Sequence, residues 1–339
     1  MRRAVIPAPH RVSTVDVDPP PLAAGEVRLA IRACGICGSD LHTYEGRHPF
    51  VRYPVYPGHE LGGVVVEAGP GVPPEWVGRA VAVEPSLTCG TCENCRAGRY
   101  NICDTLRVMG FQAPGGMAET FAVPLDRLVE LPSPLTAEQG AGLEPLAVCV
   151  HAARLPSSLA GRDVLVLGAG PIGLLTGQVA RVYGARRVAV VDVLEARLSL
   201  AARLGLDSLR GDDARVDQRI RETFGGRAPD VAFECVGLEA TLRQAIASVR
   251  KGGEVVVVGV FGQDVLVPAA LVQDRELHLR GSLMYTRGDF QEAARLLADG
   301  KVQEDLLVTH RVGLEDVHHA FELARRRAEA LKVLVVPEG

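Results

Sequence analysis

Four cysteines stand close together in the chain with the spacing C-x2-C-x2-C-x7-C, at Cys89, Cys92, Cys95 and Cys103. Four thiolates spaced in this way can surround one Zn²⁺ tetrahedrally and close it to solvent, which makes the metal structural rather than catalytic. An iron–sulfur cluster also takes four cysteines, and disulfides are the alternative without metal. Pro7 interrupts the stretch that a secretory signal peptide needs to be apolar, which counts against disulfides. We therefore expect a structural zinc.

Three further fragments carry residues that could bind a reactive metal or do redox chemistry, although each is weak alone. Residues 34–42 read CGICGSDLH, and the two cysteines could form a redox C-x-x-C pair. His59 and Glu60 follow in a Gly-His-Glu sequence, which could also be an exposed polar turn. Glu144 precedes Pro145, and an acid there could simply favour the start of a helix.

A glycine-rich motif, GAGPIG, follows an apolar run and precedes a helical pattern. In that context glycines permit a tight turn, the approach of backbone to a pyrophosphate, and close packing of helix on strand. The helix N-terminus adds unpaired N–H groups for the phosphates. The predicted cofactor-binding residues of the motif are Gly168, Gly170, Pro171, Ile172 and Gly173.

Two side chains beyond the motif bear on which dinucleotide binds. Asp192 ends the next predicted strand, where a carboxylate can accept hydrogen bonds from ribose hydroxyls and would repel a 2′-phosphate. Arg197, one turn into the following helix, could instead meet a phosphate, pair with Asp192 or lie along the adenine. We expect NAD rather than NADP.

The elements that would position these residues change in character near residue 135. Short β-type segments separated by Gly and Pro clusters come first, which favours an antiparallel or barrel-like β domain. Thr136 and Gln139 fit a capping box that should start a helix. Apolar strands then alternate with helices, which implies a parallel sheet covered on both faces. These segments are 27–31, 63–67, 80–83 and 119–123 as strands of the first part, 163–167, 188–191, 230–233 and 254–258 as strands of the second, and 171–183 and 195–204 as helices. The end of the chain reads helix, helix, strand and could return to the first domain.

Composition and charge exclude several classes of protein. The chain has 339 residues, 47% of them hydrophobic and 23% charged, which excludes wholesale disorder. With 37 basic and 41 acidic residues the net charge is −4, so nothing favours nucleic acid or an anionic membrane as a partner. The longest uncharged run, 164–180, is broken by glycines and a proline and is too short for a membrane span. We expect a cytoplasmic protein.

Taken together, the motifs resemble those of the zinc-dependent medium-chain dehydrogenase/reductase superfamily, and most those of sorbitol (polyol) and 2,3-butanediol dehydrogenases. The resemblance spans nearly the whole chain. It implies an α/β fold, with a Rossmann doubly wound parallel sheet and a GroES-like β-barrel catalytic domain. The expected boundaries are 1–147 for the catalytic domain, with a zinc lobe at 85–105, then 148–284 for the NAD-binding domain and 285–339 for a return to the catalytic domain.

The resemblance also implies roles for single residues. Cys37 and His59 match catalytic zinc ligands, Glu144 matches the acidic third ligand, and Glu60 matches a neighbouring glutamate that can also bind the metal. Ser39 and His42 match the positions that carry the proton away. The expected chemistry is zinc-assisted ionisation of an alcohol and hydride transfer to NAD, with two zinc ions per chain, one catalytic and one structural. Cys34 is expected to be an unliganded, packed thiol.

The expected substrate is a secondary alcohol of a polyol, diol or cyclitol. Sorbitol itself is less expected, because Met284-Tyr285 stands where sorbitol dehydrogenases carry Arg-Tyr. The alternatives are a threonine-dehydrogenase-like oxidant of an amino alcohol, against which Glu144-Pro145 counts, and a non-catalytic nucleotide-binding protein. A zinc-ribbon nucleic-acid binder would not explain the glycine motif. The resemblance implies a homodimer or homotetramer.

Overall fold

The computed structural model describes residues 1–337, and their packing divides the chain into two units. The first unit comprises residues 1–147, 286–300 and 304–337. The second comprises residues 148–285 and 301–303. Residues that precede the second unit in the chain and residues that follow it therefore belong to the first unit.

The first unit begins with short strands and helices, as the Gly- and Pro-rich punctuation predicts. In chain order these are β1 Arg2–Ala8, β2 Arg11–Asp16, β3 Glu26–Gly35, α1 Gly38–Tyr44, β4 Glu60–Ala68, β5 Ala80–Val83, β6 Ser86–Leu87, α2 Glu93–Arg96, β7 Arg107–Val108, β8 Thr120–Pro124 and β9 Leu128–Glu130. The next helix, α3 Leu143–Arg154, begins in the first unit and continues past residue 147 into the second. The second unit contains β10 Asp163–Leu167, α4 Pro171–Val182, β11 Arg187–Asp192, α5 Glu195–Arg203, β12 Asp207–Arg210, α6 Val216–Thr223, β13 Val231–Glu234, α7 Glu239–Ser248, β14 Glu254–Val257, α8 Ala269–Asp274 and β15 His278–Gly281. The chain then adds α9 Arg287–Ala298, β16 Val308–Gly313, α10 Val317–Arg325 and β17 Lys332–Val336 to the first unit.

The main sheet of the first unit runs in the order β16-β17-β3-β4-β5-β9, with β8 also paired to β3. All these pairs are antiparallel except β16 with β17. Along β3, Val27, Leu29 and Ile31 alternate inward and are buried in the core of this unit, which is the period-two pattern of a strand with one covered face. The register places Gly35 opposite both Glu60 of β4 and Leu334 of β17. Residues from the middle and the end of the chain thereby meet at one end of β3.

The second unit is a parallel sheet in the order β12-β11-β10-β13-β14-β15. This is the doubly wound order in which dinucleotides bind where the strand order reverses, beside the first strand. The first strand, β10, is buried throughout, which explains its unbroken apolar run Val164 to Leu167. The predicted α/β class is confirmed.

One predicted helix start differs in detail. Thr136 and Gln139 do form reciprocal hydrogen bonds, with Thr136 N–H donating to Gln139 Oε1 at 2.9 Å and Gln139 N–H donating to Thr136 Oγ1 at 3.3 Å. They open a 3-10 turn at Gln139–Gly142, and the α-helix α3 follows from Leu143. Within residues 1–337, no helix combines the length and apolar character needed to cross a bilayer.

Candidate functional site

Three side chains with metal-binding atoms converge at the end of β3 and the start of β4. Cys37 is the N-cap of α1, two residues after the end of β3, while His59 precedes β4 and Glu60 is its first residue. A ligand atom from each of the three lies within 4.8 Å of the others. His59 and Glu60 are buried and Cys37 is half-buried. Sulfur, nitrogen and oxygen donors converging in this way suit Zn²⁺, which accepts all three.

Asp40 holds two of these residues in place. One carboxylate oxygen, Oδ2, accepts the Cys37 N–H at 2.9 Å and so caps α1. The other, Oδ1, lies 3.6 Å from His59 Nδ1, and both atoms are buried without a hydrogen-bond partner in residues 1–337. Burial opposes protonation of His59, but Asp40 and Cys37 outweigh it and raise its pKa well above the usual range. A carboxylate behind the imidazole is the arrangement that orients metal-binding histidines and makes them better ligands.

A buried lysine neutralises Glu60. Lys332 Nζ donates to Glu60 Oε1 at 2.8 Å and Oε2 at 2.7 Å, and to the Ile36 carbonyl at 3.3 Å. Burial lowers the pKa of Lys332, but the charge of Glu60 outweighs it, so the net pKa is raised and the lysine is charged. Gly35 makes room for this pair, because a Cβ on that residue would lie 1.8 Å from Glu60 Oε2. Glu60 is therefore shared between a cation of the protein and the metal-binding cluster.

The other residues predicted for this site lie nearby in the chain. Ser39 and His42 are both on α1, one turn apart, and both are half-buried. Burial lowers the pKa of His42, which favours the neutral imidazole that a proton carrier needs at rest. Glu144 is buried in the first turn of α3, and its charge contributes to the raised pKa of Lys332. Glu144 is not among the side chains whose ligand atoms lie within 4.8 Å of one another in the described chain.

The four clustered cysteines form a second group. Cys89 Sγ lies 3.5 Å from Cys103 Sγ and 3.9 Å from Cys95 Sγ. A disulfide needs about 2.0 Å, whereas the sulfurs around a tetrahedral zinc at about 2.3 Å lie about 3.8 Å apart. The sulfurs of Cys89, Cys92 and Cys103 accept backbone N–H groups at 3.3 to 3.4 Å. Those from Thr91 and Cys92 lower the pKa of Cys89 to about 5, which favours the thiolate that a metal requires.

The cysteine lobe is fastened to the rest of the first unit by a buried polar network. Tyr100, which lies between the third and fourth cysteines, donates its hydroxyl to Glu84 Oε1 at 2.7 Å and accepts the Arg287 N–H. Glu84 is fully buried and is also 3.8 Å from Arg127 and 3.4 Å from Arg287. These contacts offset the free-energy cost of burying the Glu84 carboxylate. They also connect the cysteine lobe to the end of β5 and the start of α9.

The glycine motif lies between β10 and α4 in the second unit. Gly170 is the N-cap of α4 and Pro171 its first residue, so the first N–H groups of the helix are available for an anion. A Cβ on Gly173 would lie 1.8 Å from the Gly168 carbonyl oxygen, so that position requires glycine. At Gly170 an added Cβ would meet nothing closer than an Arg197 nitrogen at 3.9 Å, which leaves space above the turn.

Asp192 and Arg197 both face this turn. Asp192 Oδ2 accepts the Ala169 N–H at 2.7 Å, and Oδ1 accepts the Leu194 N–H at 2.9 Å. Arg197 Nη1 lies 3.7 Å from Asp192 Oδ2. The carboxylate is thus fixed at the end of β11, beside the glycine motif, with a cation next to it.

Comparison with known proteins matches both parts of the chain to one family. Residues 23–133 match the model of the alcohol dehydrogenase GroES-like domain, and residues 171–299 match that of a zinc-binding dehydrogenase. The chain is 36% identical to the sorbitol dehydrogenase of Arabidopsis thaliana over 95% of this chain and 92% of that protein. The chain belongs to the zinc-dependent medium-chain dehydrogenase family. It is an oxidoreductase, and its catalytic domain has the predicted GroES-like fold.

Two solved structures are similar to this dehydrogenase over its length. A zinc-binding dehydrogenase from Sinorhizobium meliloti, solved with NADP, has a TM-score of 0.91 and 32% identity, covering 99% of each chain. An alcohol dehydrogenase from Escherichia coli, solved with NADH, has a TM-score of 0.93 and 29% identity, again covering 99% of each chain. A nicotinamide dinucleotide and zinc are therefore the cofactors of the family to which this dehydrogenase belongs. The similarities favour neither an amino-alcohol oxidant nor a non-catalytic nucleotide-binding protein.

Sequence reasoning missed two residues that contact the metal-binding cluster of this dehydrogenase. Asp40 stood inside the CGICGSDLH segment, and its place three residues after Cys37 is the N3 position of a capping box, which could have identified it. Lys332 stands 272 residues from Glu60, and only the pairing of β17 with β3 brings the two together. No local signal could have revealed that contact.

Proposed function

We propose that this dehydrogenase uses zinc and NAD to oxidise a secondary alcohol of a polyol, diol or cyclitol to the ketone. The observation that carries the proposal is the convergence of Cys37, His59 and Glu60 in a chain similar to a sorbitol dehydrogenase. The donor set of the cluster fits zinc, because it offers one thiol, one imidazole and one carboxylate, with Asp40 behind the histidine.

In this proposal Cys37, His59 and a glutamate hold the catalytic zinc, and Cys89, Cys92, Cys95 and Cys103 hold a structural one. The catalytic ion supplies Lewis acidity, which makes an alcohol easier to deprotonate near neutral pH. Lys332 donates to both carboxylate oxygens of Glu60 and so holds that side chain when it is not a ligand. Glu144 is the other candidate for the third position. Two zinc ions per chain follow from the two clusters.

The proton of the alcohol leaves through Ser39 and His42 in this proposal. Both side chains stand on α1, the helix that begins at Cys37, so a hydroxyl and a neutral imidazole follow the thiol ligand on one short element. The depressed pKa of His42 supports its role, since a neutral imidazole can accept a proton and release it. His42→Ala is expected to lower kcat and to displace its pH profile, whereas loss of a merely structural histidine would leave the profile in place.

We propose NAD as the preferred dinucleotide, with Gly168, Gly170, Pro171, Ile172 and Gly173 around the pyrophosphate. The Asp192 carboxylate at the end of β11 supports this preference, because its charge would repel a 2′-phosphate. Arg197 pairs with Asp192 and lies near Gly170, which supports a role beside the adenosine rather than as a 2′-phosphate site. A kcat/KM larger for NADP⁺ than for NAD⁺ would contradict the preference.

The test of the proposed function is a screen of NAD⁺ reduction with zinc-loaded protein and a panel of polyols, diols, inositols and threonine. Turnover of at least one polyol, diol or cyclitol is expected. Cys37→Ser should abolish it and remove one zinc per chain while NAD⁺ binding persists. Cys34→Ser is the matched control, because Cys34 is buried and the one hydrogen bond of its thiol within residues 1–337 is donated to the Gly35 carbonyl. Turnover of threonine alone, or full activity of Cys37→Ser, would refute the proposal.

The remaining expectations concern assembly and location. We propose a homodimer or homotetramer assembled partly through β15, which pairs with β14 on one side and has no second partner strand in residues 1–337. Leu283, which is exposed two residues after that strand, supports an interface. We also propose the domain boundaries 1–147, 148–284 and 285–339 and a location in the cytoplasm. Light scattering of the purified protein and fractionation of cells test assembly and location.

A further inference from the structure

An aromatic pocket of about 430 Å³ lies in the first unit, one ring away from the metal-binding cluster. Its walls include the rings of Phe50, Tyr56 and Phe111 and the side chain of Arg52. Phe111 also contacts the cluster, because its ring centroid is 4.8 Å from that of His59. Phe111 therefore lies between the metal-binding cluster and the pocket and contacts both.

The position of Phe111 is fixed by a second histidine. Its ring stacks on His48 with centroids 4.9 Å apart and planes 18° apart, so Phe111 is held between His48 and His59. A local hydrogen bond stabilises the backbone next to His48, because His48 Nδ1 accepts the Phe50 N–H at 3.3 Å. Gln112 Nε2 then donates to the Phe50 carbonyl at 3.3 Å. The two segments that form the pocket are thus tied to each other.

The charge of the pocket has one sign. Arg52 lines the pocket and makes no hydrogen bond or ion pair with any residue in 1–337. Among the described residues that line the pocket, none carries a carboxylate. Arg3 reinforces the positive potential, since its guanidinium lies 4.0 Å from the centre of the Tyr56 ring. The other lining residues are apolar or neutral, including Pro54, Ala113 and Pro114. An arginine among apolar walls suits a planar or tetrahedral oxyanion on a carbon chain.

We infer that this pocket is a distal subsite for the end of the substrate that does not react, and that this end carries an oxyanion, either a phosphate or a carboxylate. The inference rests on the proposed function and narrows it to acidic polyols. The aromatic walls would cover C–H groups of the carbon chain, and Arg52 would bind the oxyanion. Phe111 would separate the reacting carbon from the charged end.

The test compares hexitols, hexitol monophosphates and hexonates as substrates of the zinc-loaded enzyme with NAD⁺. At least one anionic class should exceed the neutral hexitols in kcat/KM by about tenfold, as expected for a charge-assisted hydrogen bond. Arg52→Met should remove about that advantage through KM and change neutral hexitols less than about twofold, and Arg52→Lys should restore part of it. Arg203→Met is the matched control, because Arg203 is an exposed arginine on α5 with no ion pair in the described residues.

Binding measurements separate this inference from the proposed function. Titration calorimetry of a hexitol monophosphate or a hexonate into zinc-loaded protein with NADH should show binding that Arg52→Met weakens about tenfold and Arg203→Met does not. If no alcohol is oxidised, the proposed function fails, and calorimetry still decides whether the pocket binds oxyanions. Equal losses for neutral and anionic substrates, equal effects of the two arginine variants, or no anionic binding would overturn the inference.

Discussion

Glu304 offers a sharp test of the electrostatics around the metal-binding cluster. This residue is 5% exposed and lies in the segment between α9 and β16. Burial, foremost, and the neighbouring charge of Asp305 raise the pKa of Glu304 to about 7 from an ordinary value of 4.5, although Lys332 opposes the shift. The folded protein therefore binds this proton more tightly than the unfolded chain does.

The sign of the pH dependence follows from this shift. Between pH 4.5 and about 7 the folded state holds the proton and the unfolded state has released it, so stability falls as pH rises through that range. At about 1.4 kcal/mol per pH unit, the complete penalty above pH 7 is about 3 kcal/mol. Glu304→Gln replaces the protonated acid with a neutral group of the same shape. It should stabilise the protein by about 3 kcal/mol at pH 8 and have little effect at pH 4.5.

The assay is urea unfolding at several pH values, followed by the fluorescence of Trp76. This is the single tryptophan of the chain, and it packs against the core of the same unit as Glu304. Glu75→Gln is the control, because Glu75 is exposed and its carboxyl has no ion pair in the described residues. An equal gain at both pH values, or none at pH 8, would refute the reasoning, because the effect would then not come from burying a charge.

Two further perturbations test other contacts. Lys332→Met leaves the buried Glu60 carboxylate without its cation and should destabilise the first unit by about 3–5 kcal/mol, as measured by urea unfolding. A loss of stability below about 1 kcal/mol would show that burial of the Glu60 carboxylate does not depend on the lysine. Cys89→Ser removes one of the four thiols of the lobe, so it should lower the zinc content by one ion per chain and speed proteolysis between residues 85 and 105. Cys235→Ser, which lies outside both clusters, should do neither. An unchanged zinc content in Cys89→Ser would contradict a metal at the lobe.

The parts of the site that are local in sequence could be predicted, and the parts assembled by long-range pairing could not. The glycine motif is a strand, a turn and a helix in one stretch, so spacing alone located β10 and α4 to within a residue. The cysteine lobe was equally local. The contact between Lys332 and Glu60 depends on β17 lying beside β3, which no short pattern encodes. The sequence resemblance therefore named two candidate glutamates, and the structure gathers Glu60 with Cys37 and His59.

The strands that sequence reasoning overlooked share a physical cause. β12 is an edge strand of the parallel sheet and is largely exposed, so it lacks the apolar run by which β10 and β14 were identified. The hairpin of β1 and β2 was missed because arginines begin both strands and Pro7 interrupts the first. An edge position tolerates proline and charge, and a pattern search based on burial does not detect it.

The most direct test of the central claim is an anomalous difference map at the zinc edge, from crystals of the protein grown with NAD⁺. The account predicts two peaks per chain, one among Cys89, Cys92, Cys95 and Cys103, the other bounded by Cys37, His59 and a glutamate carboxylate. A map with no peak at Cys37 and His59, from protein that still oxidises its alcohol, would contradict it.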